Sequence, residues 1–138
     1  MNTRRLALYA TLASLAWAVL LTGLAAAGNA WVLDRVAGGI YAGGSMPVWM
    51  RGIYAVQSLL MLGVAWLAYL YATNNATRRQ RNLGRFVILM FTLSTIVNAM
   101  SKSAPEKFNA IGAAIIVVGI AILRRRPTSD RVDLRLRR

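Results

Sequence analysis

Charged residues divide the chain into four long uncharged blocks. Leu6 to Leu33 runs for 28 residues without a charge and Gly52 to Thr77 for 26, and Phe86 to Ser101 and Phe108 to Leu123 follow with 16 each. About 18 or more consecutive apolar residues suffice for a helix, rising ~1.5 Å per residue, to cross a ~30 Å hydrocarbon core. The first two blocks reach that length alone; the last two need their flanks. The pattern predicts an all-α bundle of four transmembrane helices in one domain, with spans near 6–28, 52–72, 85–101 and 104–126. A basic tail, 127–138, follows.

Within the first span, Ala10, Ser14, Ala18, Thr22 and Ala26 recur every fourth position. Such a stripe of small side chains lets a neighbouring helix approach closely in lipid, where no hydrophobic force draws helices together. Arg4 and Arg5 followed by an apolar stretch and Ala25-Ala26-Ala27 also have the outline of a cleaved leader. The apolar stretch exceeds the roughly 7–15 residues of a leader's core, so a retained first span is expected. Residues 29–51 contain Gly38, Gly39, Gly43 and Gly44 together with Trp31, Tyr41 and Trp49. Aromatic residues with a polar edge favour the headgroup region, so this loop is expected to lie along the membrane surface. No phosphate-binding pattern accompanies its glycines.

Gln57 is the one strongly polar side chain expected inside the second span, and Thr73 to Arg85 reads as a short basic loop. The third span reaches only about 24 Å from Phe86 to Ser101, with Arg85 and Lys102 extending it by snorkelling. In the turn that follows, Ser103 and Glu106 have the spacing of a capping box, and Pro105 falls in the first helical turn, where its missing N–H costs little. On the fourth span, Gly112 and Gly119 share a face with Asn109, a groove expected to receive another helix.

Charge sets the orientation. The chain has 17 Lys and Arg against 4 Asp and Glu. Thirteen of the basic residues precede the first span, separate the second from the third, or follow the fourth; only Arg35, Arg51, Lys102 and Lys107 lie on the other side. The positive-inside rule makes this an N-in/C-in protein. It also accounts for the basic charge without nucleic acid: the implied partner is the bilayer, with anionic lipid drawn to the basic cytoplasmic segments and tail. Cysteine and histidine are absent, which removes disulfides, Cys/His zinc sites and histidine-ligated haem; no cofactor is expected.

Polar residues collect toward the outward ends of the helices. Ser94, Asn98 and Ser101 share a face of the third span, Asn109 lies at similar depth in the fourth, and Gln57 in the second. With Glu106 they form an outward polar cluster: Gln57, Asn98, Ser101, Glu106 and Asn109. It has two readings, a shallow site for a headgroup or small solute, or amides that bond one helix to the next. One carboxylate among serines supplies neither a nucleophile–base pair nor a metal site, so no enzyme is expected. The first span carries no charge, unlike small four-span multidrug exporters, which place a glutamate there.

Asn98-x-x-Ser101-x-Ser103-x-x-Glu106-Lys107 resembles a pattern at the hairpin between spans three and four of small, uncharacterised bacterial four-span membrane proteins. The resemblance covers about thirty residues and implies a four-span fold in a bacterial-type cytoplasmic membrane, with no activity attached. The leading functional expectation is a non-catalytic accessory or scaffold protein, working through helix contacts with itself or a larger membrane complex along Ala10, Ser14, Ala18, Gly112 and Gly119. The alternative is a transport or permeation protein for a small solute or lipid. Topology is directly testable. A reporter fused at Gly43 should register outside the cytoplasm and one after Arg138 inside; a cytoplasmic signal at Gly43 would overturn the four-span arrangement.

Overall fold

The computed structural model describes residues 2–125, so the basic tail and Arg126, the predicted last residue of the fourth span, lie outside the described residues. Among the described residues the structure is all-helical: α1 (Thr3–Ala27), α2 (Val48–Ala72), α3 (Arg78–Met100) and α4 (Ala104–Arg124), with two short 3-10 turns between α1 and α2. The four helices have 25, 25, 23 and 21 residues, and each is long and apolar enough to cross a membrane. Large apolar side chains such as Leu59, Val97, Met100, Phe108 and Val118 face outward.

α1 packs along both α2 and α4, and α3 packs along α4, whereas α2 and α3 scarcely touch. One end of the bundle gathers the start of α1, the α2–α3 connection and the end of α4; here it is called the terminal end. The opposite, loop end carries residues 28–47 and the α3–α4 turn.

The helix ends explain much of this geometry. The last carbonyls of a helix have no partner further along the chain. At the loop end, the Arg51 guanidinium, from the first turn of α2, donates to the Ala26 and Ala27 carbonyls of α1 at 2.8 and 3.0 Å. At the terminal end, Arg4 reaches two helices at once, donating to Tyr71 O at 2.7 Å in α2, and to Leu123 O at 3.3 Å and Arg125 O at 2.6 Å in and just after α4. Arg81, near the start of α3, donates to Arg124 O at 2.9 Å. A cation at a helix C-terminus is also favoured by the helix dipole.

α3 begins seven residues before the predicted boundary, because the basic segment 78–85 is helical and not a loop. Thr77 accepts from the Gln80 N–H while the Gln80 side chain accepts from the Thr77 N–H, a reciprocal capping box. Four arginines lowered the apolar score of this turn without opposing helix formation, since Arg is a good helix former.

The predicted capping box at Ser103 and Glu106 does not form. Ser103 is the N-cap residue of α4 but makes no side-chain capping bond. Its hydroxyl donates to Asp34 O at 3.1 Å, and the Glu106 carboxylate is engaged elsewhere. The loop 28–47 has taken both groups.

α1 and α4 approach closely at Gly119. A methyl group built on Gly119 would collide with Oγ1 of Thr11, which is itself buried and donates to Ala7 O at 2.7 Å. Gly112, seven residues earlier, has nothing within 4 Å of the equivalent position. The predicted glycine groove thus receives a helix at Gly119 only, and at Gly112 it opens into space. Gly119→Leu should therefore lower stability by at least ~1–3 kcal/mol, the usual cost of overpacking, while Gly112→Ala should be close to neutral. Denaturant unfolding in a mild detergent measures both, and equal losses would contradict this packing.

Candidate functional site

Between the four helices, toward the loop end, lies a cavity of about 200 Å³. Its walls hold Ser14, Ala18 and Thr22 of α1, Tyr54 and Gln57 of α2, Ser94 and Asn98 of α3, and Glu106, Asn109 and Gly112 of α4. Trp17, Leu21, Met61, Phe91, Ala113 and Ile116 add apolar lining, alongside Arg35, Val36 and Ala37 from the loop. A space of this size holds roughly six or seven waters at ~30 Å³ each.

Glu106 is the chemical centre of this site. Its position at the start of α4 suits a carboxylate, which is stabilised by the positive end of the helix dipole. The residue is only 8% exposed. The Gly38 N–H donates to one carboxylate oxygen and the Ser101 hydroxyl to the other, each at 2.5 Å. Gly38 can aim its N–H inward because it adopts φ 70°, a left-handed conformation that side chains resist. Among the described residues the one ion pair joins Arg35 to Asp34 at 2.5 Å, and Glu106 has no cationic side chain bound to it.

The loop forms the roof. Val32, Leu33, Val36 and Met46 are buried against Leu21 and Ala25 of α1, with Tyr41 and Tyr54 packed on them. The apolar residues on either side of its glycines, Val32, Leu33 and Val36 before them and Met46 after, supply the burial that folds it back over the helix ends. Asn109 ties it down by donating from Nδ2 to Arg35 O at 3.2 Å. The Arg35 guanidinium stands 4.3 Å from the Trp31 ring centroid, a cation–π arrangement, and Trp31 meets Trp17 edge to face at 6.4 Å.

Of the sequence-predicted cluster, Gln57, Asn98, Glu106 and Asn109 all line this cavity, while Ser101 stands behind Glu106 as its hydrogen-bond donor. Asn98 donates to Ser94 Oγ at 3.2 Å within its own helix, so it does not bond one helix to the next. Asn109 bonds the loop, also not a neighbouring helix. The predicted packing stripe of α1 divides: Ser14, Ala18 and Thr22 face the cavity, whereas Ala10 lies toward the terminal end, outside it. Sequence reasoning missed Trp17 and Tyr54 as cavity residues. Tyr54 lies three residues before Gln57, on the same face of α2, a spacing that could have shown it.

Toward the terminal end the bundle closes. Leu15, Leu67, Tyr71, Ile116, Ile120 and Leu123 belong to one buried apolar cluster there. Tyr71 donates from its hydroxyl to Gln80 O, and Gly84 lies against its ring. The cavity's chemistry is therefore a buried carboxylate, three side-chain amides, several hydroxyls and aromatic walls. Among the described residues no three acidic, histidine or cysteine side chains converge as a metal site. Comparisons of the chain with protein-family models, with curated proteins and with solved structures give no match.

Proposed function

We propose that this is a non-catalytic, multi-pass protein of a bacterial-type cytoplasmic membrane, N-in/C-in, that binds a small polar group bearing a cationic nitrogen from the outward side. The observation that carries the reading is Glu106, a buried carboxylate lining a polar cavity with only neutral donors as partners. An ammonium group has three N–H donors and no acceptor. It matches the carboxylate together with the amide oxygens of Gln57, Asn98 and Asn109, and it replaces part of the hydration a buried charge loses. The outward-facing apolar surface supports the membrane placement. In that placement the asymmetry of basic residues puts the cavity in the half of the bilayer away from the cytoplasm.

This is the solute-binding alternative, preferred over the accessory reading because the features that suggested assembly are used inside the bundle. Ser14, Ala18 and Gly112 border the cavity, and Gly119 receives Thr11. One observation still favours a helix-contact role, the unfilled face between α2 and α3. The apolar cluster below the cavity argues for a binding site over an open channel, so passage through the bundle would require that cluster to part.

Binding can be measured by calorimetry on the full chain in a mild detergent, titrated with ethanolamine and with acetate as the anionic control. Ethanolamine should bind saturably and acetate should not. Glu106→Gln should weaken ethanolamine at least about tenfold, in line with a charge-assisted hydrogen bond, with its unfolding transition retained. Asn98→Leu should weaken it less. Equal affinity in the Glu106→Gln protein, or no saturable binding by the folded wild type, would overturn the proposal.

A further inference from the structure

A second, apolar space adjoins the cavity on its α2–α3 side. A groove of about 1000 Å³ runs between these helices, lined by Ile53, Val56, Leu60, Val64, Leu83 and Phe86 among others. Gln57, Met61, Phe91 and Ser94 line both the cavity and the groove. These four side chains stand between the polar chamber and the apolar slot. On α2 the slot extends from Trp49 to Leu67, about 27 Å at 1.5 Å per residue, close to the thickness of a hydrocarbon core.

We propose that the ligand is an amphiphile, a phospholipid with a primary-amine headgroup, which enters laterally with its headgroup in the cavity and an acyl chain in the α2–α3 groove. This rests on the cationic-group reading above and names its ligand class. Charge complementarity chooses the occupant. Glu106, with no cationic side chain bound to it, supplies the acceptor for the ammonium. A second transmembrane helix in the groove would leave that carboxylate with its two neutral donors alone. A quaternary ammonium has no N–H to donate to the carboxylate and the three amides, so the primary amine is the better match. The slot's apolar lining accepts the chain, each buried methylene adding to affinity.

The test uses the full chain in a neutral detergent, with native mass analysis after exposure to equal amounts of phosphatidylethanolamine, phosphatidylcholine and phosphatidylglycerol. Phosphatidylethanolamine should be retained at least about tenfold more strongly than either of the others. Val56→Trp, at a half-exposed groove position away from the cavity lining, should abolish lipid retention while leaving ethanolamine binding intact. Glu106→Gln should remove the preference for the amine headgroup. Equal retention of the three lipids, or retention unaffected by Val56→Trp, overturns the lateral-entry proposal. A homodimer cross-linked through the groove overturns it as well. If free ethanolamine binds in a Glu106-dependent manner while no lipid is retained, the amphiphile inference fails and the cavity reading stands. If neither binds, both fail.

Discussion

The carbonyl groups at the end of each helix need donors, and in this bundle arginines from neighbouring helices join the backbone N–H groups of the following residues in supplying them. Arg51 closes α1, Arg4 closes α2 and α4 together, and Arg81 adds a second donor to α4. Each donor sits near the N-terminus of its own helix, so one contact neutralises an exposed C-terminus and fixes the level at which two helices meet. Charge-assisted bonds of this kind contribute up to ~1.5–3 kcal/mol each, less where water competes. α3 is the exception. Its end runs into the turn at Ser101, where a serine hydroxyl and the Glu106 carboxylate join the loop backbone instead. The polar chamber lies beside this turn, at the loop end where Arg51 caps α1 and no arginine caps α3.

That difference divides the bundle into two halves. Toward the termini, arginines hold the helix ends around a dry cluster that includes Ile120 and Leu123, both 0% exposed. Toward the loop, small residues on α1 and the absent side chain at Gly112 leave room that the roof covers without filling. A buried carboxylate held by one backbone N–H and one hydroxyl is costly to maintain. It makes physical sense as the receiving end of an interaction with a cation. The weak α2–α3 contact leaves an apolar groove beside that chamber, the place our proposal gives to the chain of an amphiphile.

The four helices were legible from the uncharged blocks, and the gathering of Gln57, Asn98 and Asn109 from helix periodicity. Other features were hidden for identifiable reasons. The charge of Arg78 to Arg85 points to a loop, whereas the spacing of Thr77 and Gln80 is that of the capping box that starts α3. Ser103 and Glu106 had the right spacing for a capping box, but spacing says nothing about competing partners, and Gly38 and Asp34 lie more than sixty residues away. Gly112 and Gly119 are equivalent by periodicity. Only the position of Thr11 on a different helix separates the packed glycine from the open one.

The most direct measurement is thiol accessibility, since the natural chain has no cysteine. Gly112→Cys, placed on the wall of the cavity, should react with a small water-soluble cationic methanethiosulfonate. That reaction should be much faster than with an anionic analogue, and the preference should vanish when Glu106→Gln is added; Ile120→Cys should stay inert to both reagents. A Gly112→Cys thiol as unreactive as the one at position 120, or one indifferent to reagent charge, would contradict a wet, anionic chamber within the bundle.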